Sequence, residues 1–113
     1  MHELSLAESA IRIVEQQLRR ESFTRVLRVR LEIGRLSHVD PEALRFSFAA
    51  AARESLVAGA TLIIERTDGA GRCTDCGATF GVEQHFDPCP QCGGFRVELD
   101  AGLEMRVREI EVE

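Results

Sequence analysis

The sequence contains no lysine, no tryptophan and no tyrosine, and all 14 of its basic residues are arginine. Without lysine there is neither a Schiff-base amine nor a phosphate-loop lysine. Long apolar runs are absent too: the longest falls far short of the ~20 residues a membrane-spanning helix needs. Residues 1–20 carry Glu and Arg throughout and do not form a signal peptide. Positive charge is in deficit, with 19 acidic residues and a formal net charge of −5. That balance excludes a general nucleic-acid or anionic-membrane binder, since both need basic patches. The chain has no G-x-S-x-G and no HExxH, and Gly69-Ala70-Gly71 runs straight into Cys73 rather than forming a phosphate loop. No enzyme is expected. What remains is 113 residues, 44% of them hydrophobic, enough for one core and a small insert. The chain reads as a soluble cytoplasmic protein.

Periodicity sets out the elements. Leu4, Ala7, Ile11, Val14 and Leu18 form one apolar stripe at spacings of three and four, predicting a helix over 4–21. Leu27, Val29, Leu31 and Ile33 alternate with Arg28, Arg30 and Glu32, a half-buried strand ending at Gly34. Asp40-Pro41-Glu42 is a helix start, with Asp as the cap and Pro in the first turn. That helix is expected to run through Leu44, Phe48, Ala52 and Leu56 until Gly59 stops it. Residues 60–66 give a second strand. Leu103, Met105 and Val107 begin a third, whose alternation slips at Arg108-Glu109, the mark of a bulge or a frayed end. The predicted fold class is α+β: two helices on a three-stranded, mainly antiparallel sheet formed by 1–66 plus 100–113.

Composition changes between Thr67 and Leu99. This stretch holds all four cysteines, two of the three prolines and six of the nine glycines, so it needs a staple other than a hydrophobic core. Cys73-Thr-Asp-Cys76-Gly is followed, after twelve residues, by Cys89-Pro-Gln-Cys92-Gly-Gly. Two such pairs form a zinc-ribbon signature. Two intervening residues let a tight turn aim both sulfurs at one point, and Gly77 and Gly93 allow the left-handed backbone that follows. Disulfides conflict with a reducing compartment, and a redox pair normally opens a helix. Iron in four thiolates stays open. A closed four-thiolate site leaves no free position, so the metal is structural. Phe80, Phe86 and Phe95 are expected to pack around it. Arg72 and Arg96 are outnumbered by Asp75, Glu83, Asp87 and Glu98, so the ribbon is not basic enough for nucleic acid.

The first three residues, Met1-His2-Glu3, admit two readings. One is an ordinary terminus with a stray histidine. The other uses the α-amine, the amides of His2 and Glu3 and His2 Nδ1 as a planar nitrogen set suited to Ni(II) or Cu(II). His38 reads as a turn residue and His85 as an exposed loop residue, with a lesser option of joining either metal site.

Met1-His2-Glu3-Leu4-Ser5, Ile33-Gly34-Arg35-Leu36-Ser37, Val39-Asp40-Pro41-Glu42-Ala43-Leu44-Arg45-Phe46-Ser47-Phe48 and the two cysteine pairs, in this order, resemble the HypA/HybF family across essentially the whole chain. The resemblance implies a nickel metallochaperone that inserts nickel into the large subunit of [NiFe]-hydrogenase. It implies nickel at Met1, His2 and Glu3, and zinc at Cys73, Cys76, Cys89 and Cys92. The partners implied are a nickel-handling maturation GTPase, the hydrogenase large-subunit precursor and, in some members, urease accessory proteins. No nucleic-acid or membrane partner is expected, and the chain is expected to be a monomer or weak homodimer. Some members flank their cysteine pairs with His, whereas Gly77 and Gly93 stand here. The competing expectation is a zinc-ribbon interaction adaptor without nickel.

Overall fold

The computed structural model describes residues 2–113. Its elements are α1 (His2–Gln17), β1 (Val26–Gly34), α2 (Pro41–Ala52), β2 (Thr61–Thr67), β3 (Gly69–Cys73), β4 (Thr79–Val82), β5 (Val97–Ala101) and β6 (Met105–Val112), with one 3-10 turn at Arg35–Ser37. The chain divides into two compact units. The first comprises the residues through Glu32, Val39–Glu65 and Met105–Glu113, and the second comprises Ile33–His38 and Arg66–Glu104. No helix among the described residues is long and apolar enough to cross a membrane.

The first unit holds both helices and a sheet of order β2-β1-β6. Glu113 N donates to Arg25 O at 2.9 Å and Thr24 N to Glu113 O at 2.7 Å, so β6 runs antiparallel to β1. Outward arginines and glutamates pair across these strands: Arg25 with Glu113, Arg28 with Glu111, and Arg30 with both Glu109 and Glu65. The inward residues Val29 and Leu31 are buried, as are Ala7, Ala10 and Val14 of α1 and Leu44, Phe48 and Ala52 of α2. This is the alternation of a sheet with one wet face and one covered face.

Asp40 caps α2 as the sequence indicates: Oδ1 accepts from Glu42 N at 3.0 Å and Ala43 N at 3.4 Å, with Pro41 in the first turn. Other boundaries differ from expectation. α1 ends at Gln17 rather than 21, because Arg19 N already turns to Gln16 O in a tightened last turn. α2 ends at Ala52, not Gly59. There the Ser55 hydroxyl donates to Ala52 O and accepts from Val57 N, replacing helical bonds by local ones. β6 is one uninterrupted strand. Only its burial slips, with Met105, Val107 and Ile110 half-buried and Arg108 and Glu109 both exposed.

The second unit is built on a sheet of order β4-β3-β5. β3 pairs antiparallel with both neighbours, Arg72 opposite Thr79 on one side and Glu98 on the other. Its floor is a close approach of bare backbone. A Cβ on Gly102 (φ +103°) would lie 2.6 Å from the Gly69 Cα, and one on Gly69 would lie 2.5 Å from the Leu36 side chain. Leu36, 2% exposed, sits over these glycines and is held by its amide to Gly102 O at 2.8 Å.

Candidate metal centre

The two cysteine pairs fold as near-copies of each other. Gly77 N donates to Cys73 O and Gly93 N to Cys89 O, each at 2.8 Å. Cys73 N reaches Ala78 O and Cys89 N reaches Gly94 O, again at 2.8 Å. Each turn closes only because Gly77 (φ 79°) and Gly93 (φ 75°) adopt the left-handed conformation that L side chains resist. β3 delivers the first pair from its C-terminal end, and Thr74 N to Arg96 O at 2.8 Å ties that turn to the segment entering β5.

The result is a four-sulfur cluster. All four sulfurs lie within 4.8 Å of one another, with Cys73–Cys92 and Cys76–Cys89 at 3.6 Å. A tetrahedral ion with metal–sulfur bonds of about 2.3 Å requires sulfur–sulfur edges of about 3.8 Å. The cluster therefore fits one metal ion. Cys73 and Cys89 are buried and Cys76 and Cys92 exposed, so one edge is open to solvent. No histidine or carboxylate among the described residues joins the group.

Without metal, the sulfurs share protons unequally. The amide of Cys92 acts most on Cys89; with the amide of Gln91 and the Cys76 and Cys92 thiols, it outweighs burial and brings Cys89 down to about 7. At Cys76 the Ala78 amide favours the thiolate, but burial and the three neighbouring sulfurs prevail and push the thiol up to about 12. Cys92 also moves up: the Gly94 amide opposes the shift, but Cys73 and burial overcome it. Of the three thiols whose acidity shifts, Cys89 is thus the one favoured as thiolate, with Cys76 as its sulfur partner at 3.6 Å.

At the other candidate site, Met1 lies outside the described residues. His2 opens α1 and is exposed. Glu3 Oε2 accepts from Asp40 N at 3.1 Å. That bond and the amide of Glu3 itself hold the carboxyl below its usual range, with help from the His2 charge and against burial and the Asp40 carboxylate. Glu3 thus ties the start of α1 to the cap of α2. The structure brings His2 and Glu3 together on one helical turn.

His38 and His85 both lie outside helix and strand, as a turn and a loop residue should, but His85 is half-buried rather than exposed. His38 is in the left-handed region at φ 58°, and its ring stacks on that of His85, centroids 4.8 Å apart and planes at 19°. His85 Nε2 donates to Leu36 O at 2.6 Å. The expected aromatic packing around the cysteines is overturned: Phe86 is 90% exposed and Phe95 72%, while Phe80 is half-buried. Backbone amides do the work assigned to those rings, a signal that residue type does not carry.

A family model described as "Hydrogenase/urease nickel incorporation, metallochaperone, hypA" matches residues 1–112. The hydrogenase maturation factor HypA of Rhodopseudomonas palustris is 49% identical over 113 residues, covering 100% of both chains. Its counterpart in Geobacter metallireducens is 48% identical with the same coverage. The solution structure of the Ni metallochaperone HypA from Helicobacter pylori aligns with a TM-score of 0.74 at 28% identity, over 97% of this chain and 96% of that one. A match along the whole length, in sequence and in fold, places the chain in the HypA family.

Proposed function

We propose that this protein is a nickel metallochaperone of hydrogenase maturation, which binds Ni(II) at its N-terminus and passes it to the large-subunit precursor of a [NiFe]-hydrogenase. The observation that carries this reading is the family match over residues 1–112. The first turn of α1 supports it chemically. Amides at a helix N-terminus have no carbonyl four residues back, so the nitrogens of His2 and Glu3 can lose their protons without breaking a helical bond. With the Met1 amine and His2 Nδ1 they would complete four planar nitrogen donors, a set that favours Ni(II) or Cu(II). The Glu3 carboxylate, bound to Asp40 N, steadies that turn.

Cys73, Cys76, Cys89 and Cys92 hold Zn(II) in this reading, and the zinc supplies folding energy rather than chemistry. Nucleotide-driven steps fall to a maturation GTPase, because the chain has no phosphate loop of its own. The same carrier would serve urease accessory proteins where they are present. A cytoplasmic setting fits the four reduced thiols. A zinc-ribbon adaptor without nickel is the lesser reading, since it assigns no role to Met1-His2-Glu3.

The test is a nickel titration of the untagged, zinc-loaded protein. Deprotonated amides mean that binding releases protons, so affinity should fall steeply as pH drops below neutral. One residue added before Met1 converts the amine to an amide and should abolish binding. His2→Ala should do the same, with far-UV circular dichroism and zinc content unchanged. An N-terminally extended protein that binds nickel as tightly as the native one would overturn the assignment.

A further inference from the structure

The stacked pair His38 and His85 belongs to neither candidate site. Both rings line a cavity of about 690 Å³ in the second unit, together with Leu36, Glu83 and Phe86. Leu36 O can only accept, so its 2.6 Å contact fixes the proton of a neutral His85 on Nε2 and leaves Nδ1 as a lone-pair donor. Metal-binding imidazoles are oriented in this way, by giving the other N–H to a backbone carbonyl.

The surrounding loop is built rather than slack. Asp87 Oδ2 accepts from Glu83 N at 2.9 Å and from Gln84 N at 3.2 Å, fixing the turn that carries His85. Among the described residues, the two non-glycine residues with positive φ, His38 and Phe86, both border this one cavity. Strained backbone of this kind collects at functional sites because the surrounding structure must enforce it. The cavity also holds Arg35, whose charge would oppose a cation, but Arg35 is paired with Asp68 at 2.9 Å.

From this placement we propose that His38 and His85 form a second, exchangeable site for a borderline divalent transition ion such as Ni(II), completed by water. Metal–imidazole bonds of about 2.0–2.1 Å put two nitrogens no more than about 4.2 Å apart. The rings are stacked with centroids 4.8 Å apart, so sharing one ion requires one of them to turn out of the stack. Two neutral donors without thiolates give a site that loads and unloads readily, distinct from the closed sulfur cluster. That its natural ion is nickel rests on the reading above; that the site exists does not.

The experiment uses full-length, zinc-loaded protein carrying His2→Ala, so that the terminus is disabled, titrated with Ni(II) alone and followed by NMR of the imidazole nitrogens. The His38 and His85 signals should broaden together at sub-millimolar nickel. His85→Gln, whose amide can still donate to Leu36 O, should weaken binding at least tenfold with the fold intact, and His38→Ala should do likewise. Imidazole signals that stay sharp, or a His85→Gln protein that binds as before, would overturn the proposal. Loss of this site with a normal N-terminal titration in the native chain leaves the carrier function standing. The reverse result removes the N-terminal assignment and keeps this one.

Discussion

Asp40 joins two helices through two different groups. Its carboxylate caps α2, and its amide donates to the Glu3 carboxylate of α1. Replacing Asp40 by Ala leaves the amide and removes only the cap, so we expect a loss of about 1 kcal/mol in urea unfolding of the metal-loaded protein. Glu3 carries a different signature. A carboxyl held below its ordinary range stabilises the fold above that range, and the contribution is lost as pH falls through the lowered value. The Asp40 amide shift should therefore titrate with Glu3, at a pH lower than for an unbound glutamate, and Glu3→Gln should erase the titration. The cap was legible in Asp40-Pro41-Glu42 because its partners are local in sequence. The Glu3 contact was not, since it spans 37 positions and involves a backbone amide of unremarkable sequence.

Elements were legible where residue type and period agree. The stripe of α1 and the alternation of β1 place Ala7, Val14, Val29 and Leu31 in the core as expected. β3 and β4 of the ribbon were not, because Gly69-Ala70-Gly71 and Thr79-Phe80-Gly81-Val82 carry no strong alternation and are held by pairing to each other, whereas Val97-Glu98-Leu99-Asp100-Ala101 of β5 does alternate but lies at the end of the cysteine-rich stretch. A metal ion held by the four cysteines would be the staple that such a segment needs. Chelating it should raise hydrogen exchange across β3, β4 and β5 while α1 and α2 stay protected. Cys73→Ser should do the same at any zinc concentration that leaves the native protein loaded. An unchanged exchange pattern after zinc removal would refute the assignment of the cysteines as this unit's staple. Zinc uptake should also expel the protons of Cys76 and Cys92, both held as thiols in the free cluster. Apparent zinc affinity should then weaken with each step of acidification, and pH-stat titration would count the protons.

At the scale of the molecule, the cysteine spacing announced a separate stapled segment, but composition alone placed it at 67–99. The compact unit also takes in Ile33–His38, because Leu36 must cover the bare backbone of Gly69 and Gly102. Nothing in Arg35-Leu36-Ser37 marks it as part of a metal unit; that role depends on glycines more than thirty residues away. The pairing of Ala70 with Ala101 has a kinetic consequence. β6 must find β1 across nearly the whole chain, as the contact of Arg25 with Glu113 at a separation of 88 makes plain. Searches of that span are slow, because the entropy of closing the loop is lost before any contact forms. Once metal has drawn the ribbon together, Ala70 and Ala101 are already neighbours, and the chain separating β2 from β6 is in effect a short connection. Shortening a loop to this degree lowers the closure cost by about 1 kcal/mol. Refolding of α1, α2 and their sheet should therefore run several-fold faster when zinc is present from the start than when it is added last, although no residue of that unit touches the ion.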